Sequence, residues 1–300
     1  MTAGVPGVVG VVGLGRMGLP VARNLLAAGV EVHAWDMDVS QAVDLFDAGA
    51  VGAASAAEIG QAATVVLTVL PDLSQVRDVC EGPNGILSAA APGTIVVVMG
   101  TVDPFAVKDY AASLENRGFG LVDAPMSGGV EGANAGTLSI MVGGRDEHVA
   151  VVLPVLEKVS TTLRHLGPVG SGELSKACNQ IVVGGTLAVL SEAIVLGQRG
   201  GIAPQTLLEV LDGGLAASQL LTNKWRNFVD HEFTATGPAW FQHKDLGFAL
   251  CAGRVEGVAM PVTAVVDQIF GAMRWRGLGG EDHSGVVQVI EALSGIAASD

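Results

Sequence analysis

Two segments of this 300-residue chain carry residue types whose spacing could do chemistry. Gly13-Leu14-Gly15-Arg16-Met17-Gly18 is a strict G-x-G-x-x-G, the pattern of a loop whose backbone N–H groups approach a phosphate. Lys176, with Asn179 at i+3 and Gln180 at i+4, puts an amine and two amides on one helix face, where they could move a proton. Neither segment is specific alone. The chain holds 42 glycines, and a lysine near a helix start is more often a solvated surface residue.

The elements around the glycines supply the specificity. The motif follows an apolar strand, Val8 to Val12, and opens a helix predicted over Leu19 to Ala28. A second strand, Glu31 to Trp35, then ends at Asp36, close to the spacing of about 20 residues expected of a ribose-binding acid. Gly13 permits the tight turn, Gly15 lets the backbone reach a pyrophosphate, Gly18 allows close helix packing, and Arg16 adds a phosphate contact. Asp36 would accept hydrogen bonds from both ribose hydroxyls and repel a 2′-phosphate. Met37 and Asp38 offer no arginine to neutralise one, so the expected cofactor is NAD rather than NADP.

For the lysine, Gly170-Ser171-Gly172 opens a long helical stretch to Arg199. Lys176 then lies near the positive end of the helix dipole, which disfavours the ammonium and, with burial, lowers its pKa from about 10.4. Asn179 and Gln180 share its face. Ser127-Gly128-Gly129, after the strand end Leu121-Val122-Asp123, can present a hydroxyl and unencumbered N–H groups to an anion.

Short β-branched runs alternate with helical segments as far as about Leu166, and no later run reads as a strand. The expected fold is an α/β Rossmann-type dinucleotide-binding domain (1–166) followed by an all-α domain (167–300), joined by a long helix. Sixteen basic against thirty acidic residues give a net charge of −14, which argues against nucleic acid or an anionic membrane as partner. Cys80, Cys178 and Cys251 are odd in number and far apart, and the six histidines show no ligand spacing, so neither a disulfide framework nor a metal is expected. The apolar stretches are broken or carry amides and fall short of a membrane span, and no cation precedes Arg16 as a signal peptide requires. A reducing, cytoplasmic setting is expected. The apolar helix from Ile181 to Leu196 predicts a homo-oligomer, a homodimer or homotetramer, built through the helical domain.

The segments GLGRMG (13–18), TVLPD (68–72), GTVDP (100–104), DAPMSGG (123–129), GTLSIMVGG (136–144), GSGELSKACNQ (170–180) and KDLGFAL (244–250) together resemble the β-hydroxyacid dehydrogenase family, which includes 3-hydroxyisobutyrate dehydrogenase and tartronate semialdehyde reductase. The resemblance spans nearly the whole chain. It implies NAD(P)-dependent interconversion of a small 3-hydroxy acid and its semialdehyde, with Lys176 as general acid/base and Asn179 assisting. It further implies that Ser127, Gly128 and Gly129 hold the substrate carboxylate. Leu70 and Pro71 then line the adenosine side with Gln75 beyond them, Thr101 lies near the nicotinamide ribose, and Lys244 reaches the cofactor from the helical domain. Gln180 stands where some members have a second asparagine. Tartronate semialdehyde reduction is the alternative activity, and a non-catalytic NAD(P)-binding module is the alternative class.

Overall fold

In the computed structural model, which describes residues 6–296, the valine-rich runs become the strands of one sheet. β1 (Val8–Val12), β2 (Glu31–Trp35), β3 (Val51–Gly52), β4 (Val65–Thr68), β5 (Ile95–Val98) and β6 (Gly120–Asp123) pair in parallel in the order β3-β2-β1-β4-β5-β6. Alternate side chains serve two cores. Val9, Val11, Val65, Leu67 and Val97 face one, and Val12, Val66, Val96, Val98 and Leu121 face the other. Helices α1 (Gly18–Ala27), α2 (Val43–Asp47), α3 (Ala56–Ala62), α4 (Leu73–Glu81) and α5 (Pro104–Glu115) follow the strands in turn. Burial on both faces explains why β1, β4 and β5 read as unbroken apolar runs.

The chain runs outward from β1 through β2 to β3, then returns to β4 on the other side of β1. The strand order therefore reverses between β1 and β4, and the carboxyl ends of the strands at such a switch point are where open α/β sheets take their ligands.

β7 (Met126–Ser127) and β8 (Leu138–Gly143) extend the sheet antiparallel, and β9 (Ser160–Gly167) joins β8 in parallel. Asp123 pairs with Gly143, Met126 with Ile140 and Ser127 with Ser139. That register is continuous, so β6 and β7 are one strand interrupted at Ala124-Pro125, and Ser127 stands beyond the carboxyl edge. α6 (Gly129–Ala135) separates β7 from β8, and α7 (Asp146–Leu156) separates β8 from β9.

α8 (Ser171–Arg199) follows, and the two compact units of the chain, Met1–Lys176 and Ala177–Asp300, divide inside it. Lys176 therefore belongs to the first unit and Asn179 to the second. The second unit contains α9 (Pro204–Asp212), α10 (Gln219–Asp230), α11 (Ala239–Val255), α12 (Pro261–Trp275) and α13 (Val287–Leu293). Among its described residues the only β pairing is an isolated bridge between Pro238 and Asp282. Leu187, Leu190, Ile194, Leu246, Phe270 and Met273 are among the side chains of its core.

The helix around Ile181 has the expected bounds, and the expectation that its apolar stretch falls short of a membrane span is corrected. α8 runs 29 residues and is, by length and composition, long and apolar enough to cross a membrane, although half of its most apolar window is buried inside the protein. Core helices of soluble proteins have the same property. Val182, Val189 and Leu196, spaced by seven along α8, stay exposed.

Candidate functional site

The glycine loop follows the carboxyl end of β1, at the switch point of the sheet. Gly13 adopts φ +93°, and a β-carbon there would lie 2.5 Å from the Val69 carbonyl oxygen. A β-carbon on Gly18 would overlap the Gly13 carbonyl, so both positions need glycine for the fold itself. Gly15 differs. It has no positive φ, and a β-carbon there would meet nothing of the protein within 4 Å. The open space at Gly15 suits a ligand that approaches the backbone. α1 begins at Met17 without a side-chain cap and carries no acid in its first turn, as an anion-binding helix start requires.

Asp36 closes the loop from the adjacent strand. Its carboxylate accepts the Leu14 N–H at 2.5 Å and the Asp38 N–H at 2.9 Å. A carboxylate has about four lone-pair positions, so capacity remains for hydroxyl donors. Met37, the next residue, is exposed and cannot offset a phosphate charge. A dinucleotide fits this cradle: its pyrophosphate against Gly13–Gly18 and its adenine ribose against Asp36.

The following two loops lie on the same edge. Leu70 and Pro71 leave β4, and Asp72 then caps α4 by accepting the Gln75 N–H at 2.9 Å, while the Gln75 side chain is exposed. Thr101 leaves β5. A β-carbon on Gly100 would overlap the Leu70 carbonyl, so these two loops touch. The sheet thus brings Gly13, Leu14, Gly15, Arg16, Met17, Gly18, Asp36, Leu70, Pro71, Gln75 and Thr101 to one edge.

Ser127-Gly128-Gly129 extends beyond that edge on the continued strand. Gly128 has φ +127° and Gly129 φ +64°, conformations that side-chain-bearing residues rarely adopt. Two residues that the sequence reading did not single out fix Lys176 beside this strand. Asp123, fully buried at the end of β6, accepts the Gly170 N–H at 2.8 Å and the Glu173 N–H at 2.9 Å. It therefore caps α8 from the strand that leads to Ser127. Glu173, also fully buried, accepts the Val102 N–H at 3.0 Å and so joins the same helix start to the loop that carries Thr101. Lys176 lies one turn further on and is 7% exposed. In sequence, Asp123 and Glu173 were visible only as acids near a strand end and a helix start. Their burial was not.

Burial pushes the Asp123 carboxyl above its ordinary 3.8, while the N–H groups of Gly170, Glu173 and Gly172 pull it down. Because the folded state holds this proton more tightly than the unfolded chain, stability falls as pH rises from 3.8 through the folded pKa. Asp123→Asn should remove that contribution, at most about 1.4 kcal/mol per pH unit. Urea unfolding of both proteins from pH 3 to pH 8 checks it; parallel pH curves would contradict the assignment.

In the second unit Asn179 is half-buried. Gln180, four positions after Lys176 on the continuous helix α8, has partners of its own. Its amide donates to Asp245 Oδ2 at 2.8 Å and to Gln242 Oε1 at 3.3 Å, so it ties α8 to α11. A β-carbon on Gly184 would lie 2.8 Å from Gln242 Nε2, which is why these helices meet at a glycine. Lys244 Nζ lies 3.3 Å from Asp245 Oδ1 and over the Phe248 ring. It lines a cavity of about 510 Å³ with Trp240, His243, Asp267 and Arg274. Among the described residues no group of three or more His, Cys, Asp or Glu side chains could hold a metal ion.

A dinucleotide cradle at the switch point of a parallel sheet, followed by an all-helical unit, defines a nicotinamide-dinucleotide-dependent oxidoreductase class. Residues 8–167 match the family model described as the NAD binding domain of 6-phosphogluconate dehydrogenase. Residues 170–290 match that described as NAD-binding of NADP-dependent 3-hydroxyisobutyrate dehydrogenase. The chain belongs to the β-hydroxyacid dehydrogenase family. It is 38% identical over 292 residues to 2-(hydroxymethyl)glutarate dehydrogenase of Eubacterium barkeri, covering 97% of each chain. It is 32% identical over 286 residues to 2-hydroxy-3-oxopropionate reductase of Escherichia coli (strain K12), covering 95% of this chain and 98% of that one. Among solved structures, 3-hydroxyisobutyrate dehydrogenase from Salmonella typhimurium superposes with a TM-score of 0.88 at 28% identity, covering 94% of this chain and 99% of that one.

Proposed function

We propose that the protein catalyses NAD-dependent, reversible oxidation of a small 3-hydroxy acid to its semialdehyde, with Lys176 as general acid/base. The observation that carries this reading is the buried Lys176, on a helix whose start Asp123 and Glu173 tie to the strand leading to Ser127-Gly128-Gly129 and to the loop carrying Thr101. The bound nicotinamide supplies hydride acceptance and return. The Ser127 hydroxyl and the N–H groups of Gly128 and Gly129 bind the substrate carboxylate, and Asn179 orients the reacting hydroxyl. In oxidation the neutral Lys176 amine takes the hydroxyl proton; in reduction the ammonium gives it back. Leu70, Pro71, Gln75 and Thr101 complete the cofactor contacts of the first unit.

The names of three relatives share one chemical core. 3-Hydroxyisobutyrate, 2-(hydroxymethyl)glutarate and the reduced form of 2-hydroxy-3-oxopropionate are all HOCH2–CHR–COO⁻. That core, a primary hydroxyl one carbon from a carboxylate-bearing carbon, is the proposed substrate class. Steady-state rates with NAD and NADP over these acids, serine and threonate test it, and activity confined to compounds lacking the core would refute it.

NAD preference rests on Asp36. We expect kcat/KM to favour NAD over NADP by on the order of a hundredfold, from charge repulsion and lost ribose hydrogen bonds. Asp36→Ser should narrow that ratio about tenfold. A higher kcat/KM with NADP in the unaltered protein would overturn the preference.

A further inference from the structure

The substrate loop leads straight into α6, a helix that buries only Gly132 and Ala133. Neither has a side chain larger than a methyl group, so apolar packing does little to hold α6 on the sheet. Its C-terminus closes in a Schellman motif. The Thr137 N–H donates to Gly132 O at 2.9 Å and the Gly136 N–H to Ala133 O at 3.3 Å, with Gly136 at φ +67°. The helix end still leaves carbonyls with spare acceptor capacity.

Asn24 supplies a donor to them from another element. Its Nδ2 lies 2.7 Å from Ala133 O and 3.4 Å from Asn134 O, more than a hundred positions away in sequence. A β-carbon on Gly136 would sit 3.5 Å from the same amide, so the turn is fitted around it. Asn24 itself stands on firm ground, because α1 buries Val21, Ala22 and Leu25 in the sheet core. α1 starts at the glycine loop, and α6 starts at Gly128-Gly129.

We propose that Asn24 is a positioning residue. It ties the helix that opens at the dinucleotide loop to the helix that carries the substrate-carboxylate loop, and so holds Ser127-Gly128-Gly129 at a fixed place relative to the cofactor cradle. The proposal rests on the reading of Ser127-Gly128-Gly129 as the carboxylate site. A neutral donor is what the position requires, since both partners are carbonyl oxygens. Asn24→Asp keeps the shape but presents an acceptor, and Asn24→Ala removes the contact.

Two measurements on the full-length enzyme test this. Amide hydrogen exchange without cofactor should be about tenfold faster across α6 in both variants and unchanged in β1 and β4, because one side-chain tie is lost while the core is intact. KM for the fastest hydroxy acid of the panel should rise about tenfold, while the Kd for NADH, read by fluorescence titration, stays within about twofold. Support requires both effects. Faster exchange with an unchanged KM, or an unchanged exchange pattern, overturns the proposal. Should Asn24→Asp not fold, Asn24→Ala alone gives both readings. Ser127→Ala, run in parallel, separates the two levels: an unchanged KM there sinks the carboxylate-site reading, whereas a raised KM in Ser127→Ala with wild-type behaviour in the Asn24 variants sinks this proposal alone.

Discussion

Replacing Lys176 by alanine should lower kcat by about a thousandfold in both reaction directions, within the range of 10²–10⁴ typical when a general acid/base is removed. NADH affinity should stay nearly constant. The dinucleotide is proposed to bind at Gly13–Gly18 and Asp36, just beyond β1 and β2, whereas Lys176 stands on α8. Loss of rate could also follow from loss of charge, so a second variant is needed. Lys176→Arg keeps a cation in place, but a guanidinium is not deprotonated in proteins and cannot accept the hydroxyl proton. It should therefore be as slow as alanine in oxidation. If arginine restores activity to within tenfold, the side chain acts by charge alone; if alanine does so, it has no part in proton transfer. Either substitution also alters the buried surroundings of Glu173, one turn away, so thermal unfolding must accompany the kinetics.

The parts of this arrangement that were legible in the sequence are those written in local periodicity. β1, β4 and β5 are buried on both faces and their valine runs announce them, whereas β2 alternates, burying Val32 and Ala34. The glycine loop was legible because three different constraints, a turn, a close approach and a helix contact, fall on fixed spacings. β9 escaped notice for the opposite reason. Its eight residues, Ser160–Gly167, are half-buried or exposed and include Arg164 and His165, so no apolar pattern marks them. β3 and β7, two residues each, are defined by pairing with a neighbour and have no signature of their own.

Helix ends show the same division. Pro238 stands at the N-cap of α11, which starts at Ala239, five residues before the KDLGFAL segment (244–250) that carries the resemblance. The site residues Asp123 and Glu173 were the least legible. A carboxylate that caps a helix nearly fifty positions away depends on the register of β6 against β8, which no local pattern encodes. Gln180 is a similar case: its spacing placed it on the face of Lys176, but its partner on α11 takes the amide.

Gly15 and Gly18 offer the sharpest test of which glycines serve a ligand. Gly18→Ala would push a β-carbon into the Gly13 carbonyl, and relieving that overlap should cost roughly 2–3 kcal/mol of stability, as overpacking does. Gly15→Ala meets no protein atom and no positive φ, so its folded state carries no strain. Restricting the unfolded chain should even stabilise it, by about 0.4–1 kcal/mol. The same methyl would nevertheless stand where the pyrophosphate must come close to the backbone. Dinucleotide Kd should therefore rise by about a hundredfold in Gly15→Ala, equivalent to about 2.7 kcal/mol. The two variants thus separate what the fold needs from what the ligand needs. Melting temperature should fall only in Gly18→Ala, whereas NADH titration should show weakened binding in Gly15→Ala at full stability. Unimpaired NADH binding by a stable Gly15→Ala protein would mean that the space above Gly15 is not where the phosphates lie, and the cradle assignment would have to move with it.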